Sequence, residues 1–179
     1  MEKKLRIGII GAGRIGKLHA NNLVNSVPEA EVAAISDVYL PGAQELAENL
    51  GVKKVYDDYT KILQDPEVDA VFICSSTDTH SIISKEAAQA GKHIFCEKPI
   101  DHDLDKIKEV LSEVEKAGVK YQVGFNRRFD RNFAKVKETV AEGKIGDVHI
   151  VKVTSRDPEA PPVSYVKVSG GIFADMTIH

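Results

Sequence analysis

Leu5-Arg6-Ile7-Gly8-Ile9-Ile10-Gly11-Ala12-Gly13-Arg14-Ile15-Gly16 is the stretch that decides the fold. A short apolar run meets a glycine turn, and an amphipathic run with Ile15, Leu18 and Leu23 on one helix face follows. That order predicts strand, tight turn and helix. Gly11 permits the sharp reversal, Gly13 lets a pyrophosphate approach the backbone, and Gly16 lets the helix pack close to the strand. Amides at the helix start, on Arg14 and Ile15 among them, would then hold the phosphates with help from the helix dipole. A glycine turn that binds nothing is the plainer alternative. The position of this turn, directly after a strand and near the N-terminus, favours the dinucleotide.

Outward from the turn, Glu31 to Ser36 reads as a second strand ending at Asp37. Asp37 lies about twenty residues beyond the turn, where a carboxylate can accept hydrogen bonds from the adenosine ribose hydroxyls. It would repel a 2′-phosphate, and no arginine stands beside it, so NAD is favoured over NADP. A solvated loop aspartate is the alternative. Pro41 to Leu50 has helical spacing and stops at Gly51. Val55-Tyr56 is a short strand, and Tyr59 to Leu63 a short helix. Ala70 to Cys74 is continuously apolar, as a strand covered on both faces should be.

The polar run Ser75-Ser76-Thr77-Asp78-Thr79-His80 reads as a loop at that strand's carboxyl end, the edge where open parallel sheets bind ligands. Ser81 to Ala90 is another helix, and His93 to Cys96 a strand that delivers Glu97-Lys98-Pro99 to the same edge. Helical spacing over Asp103 to Ala117 and a strand at Tyr121 to Gly124 complete the alternation. The implied class is α/β, a doubly wound parallel sheet of Rossmann type. Beyond it the pattern changes. A helix opens at Phe125 and runs to about Ala141, Val148 to Val153 alternates like a half-buried strand, and Ile172 to His179 begins a helix-like segment.

The composition excludes several classes. The 179 residues are 42% hydrophobic and 28% charged, with net charge −3, which is ordinary for a soluble globular chain. Nothing resembles a basic nucleic-acid footprint. Cys74 and Cys96 form no C-x-x-C pair and sit in apolar runs, so buried reduced thiols are expected. No signal-peptide core or membrane span is visible, and cytoplasmic residence follows by default.

The chemistry gathers at the sheet's carboxyl edge. Ser75, Ser76, Thr77, His80 and Glu97 are candidates to line a cofactor there. Lys98 could hydrogen-bond an oxygen at a reacting C–O bond and stabilise its charge. A solvated loop lysine is the alternative. Asp175 and His179 are four residues apart and share a face if their segment is helical. That histidine could take an alcohol proton while the aspartate orients substrate or imidazole. A metal on this pair has no apparent third ligand, and a plain surface pair is the other reading. His93, His102 and His149 have no partners at metal-ligand spacing, and His19 is expected to pack near the turn.

The glycine turn, the Ser76 to His80 run, Gly91-Lys92-His93-Ile94-Phe95-Cys96-Glu97-Lys98-Pro99 and Gly124-Phe125-Asn126-Arg127-Arg128-Phe129-Asp130 together resemble the Gfo/Idh/MocA oxidoreductases. Gly170-Gly171-Ile172-Phe173-Ala174-Asp175-Met176-Thr177-Ile178-His179 is similar to the inositol 2-dehydrogenase branch. The resemblance implies a catalytic set of Lys98, Asp175 and His179, with His179 as general base. It implies a cis peptide bond before Pro99, and substrate contacts from Arg127 and Asp157 as well as the catalytic set. It further implies NAD-dependent oxidation of a cyclic polyol or sugar hydroxyl to a ketone, myo-inositol first, in a homo-oligomer.

Such enzymes are about twice this length. Residues 1–123 would be their NAD-binding domain, and 124–179 the truncated start of an α+β substrate domain. The alternative is a catalytically inactive NAD(H)-binding fragment. Apolar residues from Phe125 onward are then expected to lie exposed, with a tendency to self-associate.

Overall fold

β1 (Leu5–Ile10) forms in the interior of a sheet because Ile7, Ile9 and Ile10 are all buried, with layers of structure on both faces of the strand. The computed structural model describes residues 3–156, 158–167 and 169–178. They fall into two compact units, residues 1–124 and 125–179.

In the first unit β1 is followed by α1 (Arg14–Ser26), β2 (Ala30–Ser36), α2 (Leu40–Leu50), β3 (Lys54–Tyr56) and α3 (Thr60–Leu63). Then come β4 (Ala70–Ile73), α4 (Thr77–Gln89), β5 (His93–Cys96), α5 (Leu104–Ala117) and β6 (Tyr121–Val123). All six strands are parallel, in the order β3-β2-β1-β4-β5-β6. The order reverses between β1 and β4, and a ligand crevice is expected outside the carboxyl ends there.

Two apolar clusters cover the sheet. Ile7, Ile9 and Ile35 pack with Leu23 of α1 and Leu46 of α2. Val71, Ile73 and Ile94 pack with Ile62 of α3 and Ile83 of α4. α5 adds the fully buried Val110. Its first turn is capped by Asp103, whose carboxylate accepts from the Asp105 amide at 2.8 Å, an interaction of about 1 kcal/mol.

The amino ends of the strands carry a continuous set of ion pairs. Arg6 bridges Glu31 at 3.0 Å and Glu67 at 2.8 Å. Lys54 bridges Glu67 at 2.7 Å and Asp65 at 2.6 Å. Asp69 accepts the Arg6 amide at 2.9 Å, and the buried Lys92 ammonium donates to the carbonyls of Asp65 and Val68.

One expectation in this unit is corrected. The polar run after β4 is not a loop throughout, because α4 begins at Thr77 with Ser76 at its N-cap. Asp78 in the first turn is favourably placed against the helix dipole, and four of the expected loop residues are helical.

The second unit holds a 3₁₀ turn (Asn126–Phe129), α6 (Arg131–Ala141), α7 (Val163–Val166) and α8 (Gly171–Asp175). The single helix expected from Phe125 is broken at Asp130. That residue is extended, and its carboxylate accepts from the amides of Asn132 and Phe133, so it starts a new helix. Val148 to Val153 is not a strand. Alternation alone does not make one, since a strand needs a neighbour for its ladder. α8 ends at Asp175 with a turn after it, and the expected pairing of Asp175 with His179 falls on a residue outside the described ones. Apolar side chains are exposed as expected, among them Phe129 at 70%, Ile150 at 87% and Phe173 at 81%. No helix among the described residues is long and apolar enough to cross a membrane.

Candidate functional site

The glycine turn is built from three different constraints. Gly11 has φ +98°, and a Cβ there would lie 2.6–2.7 Å from the backbone of Cys74 and Ser75. A Cβ on Gly16 would lie 1.8 Å from the Gly11 carbonyl oxygen, so only glycine lets α1 descend onto the turn. Gly13 is different. Its φ of −70° suits any residue, and a Cβ would meet nothing within 4 Å. The protein itself makes no demand for glycine at position 13. The open space beside it is what a phosphate needs. Gly13 is also the N-cap of α1, with no side chain to occupy the first amides, and that first turn carries no acidic residue. Arg14 is exposed and Ile15 half-buried.

Asp37 sits at the end of β2 and reaches back to the turn. Its Oδ2 accepts from the Ala12 amide at 2.6 Å, and its Oδ1 from the Tyr39 amide at 2.8 Å. Each oxygen retains a second lone pair for a ribose hydroxyl. The carboxylate therefore fixes the turn against the β2 loop and is placed to accept from a sugar. These features fit a dinucleotide.

At the end of β4, Ser75 and Thr79 share a hydrogen bond of 2.7 Å, and Thr79 also donates to the Ser76 carbonyl. Ser76 is exposed, and Ser75 and Thr77 are half-buried. His80, expected beside the cofactor, is buried. Its Nδ1 lies 2.7 Å from the Pro99 carbonyl oxygen and its Nε2 3.1 Å from that of Ser75. Both ring nitrogens are thus committed to backbone, so His80 has none left for a ligand.

Glu97, Lys98 and Pro99 follow β5, and the Lys98–Pro99 bond is cis. Lys98 is half-buried. Glu97 turns to α1, where its Oε1 meets His19 Nε2 at 2.7 Å, and its Oε2 accepts from the Lys98 amide at 3.3 Å. Burial pushes the Glu97 carboxyl up, but the hydrogen bond and charge of His19, with the Lys98 amide and ammonium, outweigh it. The group sits below its ordinary value. The His19 ring meets Phe72 and Phe95 edge-on, and those two stack at 4.5 Å. The His19–Glu97 contact spans 78 residues, and no local signal in the sequence reveals it.

In the second unit the Arg127 guanidinium donates to Ser155 Oγ at 3.0 Å and lies 5.7 Å from the Phe133 ring centre. The Tyr165 hydroxyl donates to both oxygens of Asp175, at 2.9 and 2.8 Å. Tyr165 is the other residue that the sequence did not single out. Asp157 and His179 lie outside the described residues. Among the described residues no three His, Cys, Asp or Glu side chains gather as metal ligands.

Comparison with known proteins bears on this geometry. Residues 5–125 match the Gfo/Idh/MocA oxidoreductase family, described as an NAD-binding Rossmann fold. The chain is 52% identical over 175 residues to myo-inositol 2-dehydrogenase of Thermotoga maritima, covering 98% of this chain and 52% of that protein. It is 50% identical over 179 residues to the uncharacterized oxidoreductase YrbE of Bacillus subtilis, covering all of this chain and 52% of that one. A crystal structure of scyllo-inositol dehydrogenase from Lactobacillus casei, with NAD(H) and scyllo-inositol bound, superimposes with a TM-score of 0.78 at 38% identity. That match covers 81% of this chain and 43% of the other. The chain spans about half the length of the curated relatives it matches.

Proposed function

The chain belongs to the Gfo/Idh/MocA oxidoreductase family, and on that premise we propose that it holds NAD and oxidises a hydroxyl of a cyclic polyol, myo-inositol first, to the ketone. The observation that carries the cofactor reading is Gly13, a glycine that neither backbone conformation nor packing requires. Residues 11 and 13–16 would hold the pyrophosphate, and Asp37 the adenosine ribose, which favours NAD over NADP. Ser75, Ser76, Thr77 and Glu97 would border the nicotinamide end, with His80 behind them. Residues 1–123 would form the cofactor domain and 124–179 the beginning of the substrate domain, a division supported by the break between the two compact units.

NAD, when bound, supplies the hydride acceptor. In this reading the Lys98 ammonium donates a hydrogen bond to the substrate oxygen and stabilises the charge that grows there as the C–H bond breaks. His179 takes the hydroxyl proton, and Asp175, gripped by Tyr165, orients the substrate or that imidazole. Arg127 and Asp157 would hold further hydroxyls. The same reading has a homo-oligomer at work in the cytoplasm. Exposed apolar side chains of the second unit support the assembly, and two free buried thiols support a reducing compartment.

A titration of the 179-residue chain with NADH, followed by fluorescence, tests the cofactor reading. An assay with NAD and myo-inositol on the same sample tests the reaction. Saturable binding with turnover is the expected result. Binding without turnover would reduce the function of this chain to holding the cofactor, and no binding would overturn the reading.

A further inference from the structure

His80 is a buried titratable side chain for which the reaction has no use, and its surroundings are unusual. It is 2% exposed, and both ring nitrogens face backbone carbonyl oxygens, Pro99 at 2.7 Å and Ser75 at 3.1 Å. A carbonyl oxygen only accepts. A neutral imidazole carries one N–H, so it can satisfy one of these oxygens and must turn a nitrogen lone pair towards the other. At such separations, away from water, that arrangement is repulsive. Only a ring with protons on both nitrogens donates to both oxygens.

The two carbonyls belong to the two segments that frame the candidate site. Ser75 follows β4, and Pro99 follows Lys98. The next residue on α4 reinforces the grip, because Ser81 Oγ donates to Asp101 Oδ2 at 2.5 Å. Asp101 is itself buried, and it also takes the Asp103 amide at 2.9 Å. Two consecutive residues of α4 therefore fasten positions 99 and 101, immediately beyond Lys98. The titratable groups on these elements are Asp78, Lys85 and Glu86 on α4, and Glu97, Lys98, Asp101, His102 and Asp103 on the segment after β5. Burial pushes the Asp101 carboxyl up, but the Ser81 hydroxyl, the Asp103 amide and Lys106 outweigh it, leaving an anion one residue from the Pro99–Ile100 peptide.

We propose that His80 is a positioning residue that donates from both ring nitrogens, as an imidazolium, and ties the Ser75 segment to the Lys98–Pro99 segment so that the nicotinamide end of the site keeps its shape. The role in cofactor binding rests on the function proposed above, whereas the protonation state does not.

The experiment uses the 179-residue chain labelled with ¹⁵N-histidine. Long-range ¹H–¹⁵N correlation at pH 7, with the His80 signals assigned by their loss in His80→Asn, reads protonation at each ring nitrogen. Protons on both are expected. One bare nitrogen would overturn the proposal. NADH titrations then compare the wild type with His80→Asn, which keeps a donor near the Nδ1 position, and His80→Gln, which keeps one near Nε2. Leaving one buried carbonyl without its donor should weaken NADH by about tenfold in each variant, with the far-UV circular dichroism unchanged. Wild-type affinity in both variants, or loss of the fold in both, would overturn the positioning role. Failure of the wild type to bind NADH would sink the proposed function and with it the cofactor role of His80. The nitrogen signals would still decide the protonation state.

Discussion

Replacing Gly13 with serine should separate ligand binding from stability. The backbone at position 13 is already in a conformation that serine adopts, and the new Cβ would enter open space. Serine is the better N-cap by a few tenths of a kcal/mol. For a folding unit of this size that is a rise in Tm of about 1 °C. The phosphate, by contrast, would lose its close approach to the turn. A hydrogen bond to a charged group contributes about 1.5–3 kcal/mol, so losing one should weaken NADH roughly 10- to 100-fold. Fluorescence titration and a thermal melt on the same preparation read both quantities. Wild-type affinity in Gly13→Ser would refute the placement of the pyrophosphate at this turn. A fall in Tm of several degrees would refute the claim that the space is empty. Gly11→Ala is the matched contrast. Its positive φ and its clash with the Cys74–Ser75 backbone should together cost about 2–4 kcal/mol, a large part of the 5–15 kcal/mol that holds a typical domain together.

Three further outcomes follow from the site and the core. Lys98→Ala should abolish turnover with NAD and myo-inositol while leaving NADH affinity near wild type, and unchanged turnover would remove Lys98 from the reaction. Hydrogen bonds from Arg6 and Lys54 hold Glu67 down at about 2. Its folded-state value lies below the ordinary one, so its stabilisation is complete above about pH 4.3 and is lost as pH falls towards 2. A Tm–pH curve should drop across that window, and Glu67→Gln should flatten the drop. Burial pushes the Cys96 thiol up to about 12 and raises Cys74 too, so both should react with a disulfide reagent at pH 8 only after unfolding. Fast labelling of the native chain would contradict their burial.

The order of strands and helices through residue 124 was legible because each element carries its own signal. The apolar run before Gly11, the continuous run Ala70 to Cys74 and the stop at Gly51 are local facts. The start of α4 was misplaced because Ser, Thr and Asp favour loops and helix starts alike, and Ser76 serves as the N-cap. Asp130, unlike Ser76, caps its helix with its side chain, and that signal was open to reading in the sequence. Val148 to Val153 alternates as a strand should, but local alternation cannot supply a neighbour. Within the candidate site, the positions of Gly13, Asp37 and Lys98 could be read from spacing. The commitments of Glu97 to His19 and of His80 to Pro99 and Ser75 could not, because each depends on how α1 or α4 lies across the sheet.

The ion pairs at the amino ends of the strands lie on the sheet edge opposite the residues proposed to bind and react. Arg6, Glu31 and Lys54 begin the very strands whose far ends lead to Gly11, Asp37 and the neighbouring loop. This separation bears on mutational robustness. Substitutions that retune specificity at one edge commonly erode folding, and the opposite edge provides a reserve that can be enlarged without touching the pocket. A lineage, or a laboratory selection, could therefore explore new substrates after first strengthening the charged rim, and the two sets of changes should combine almost independently.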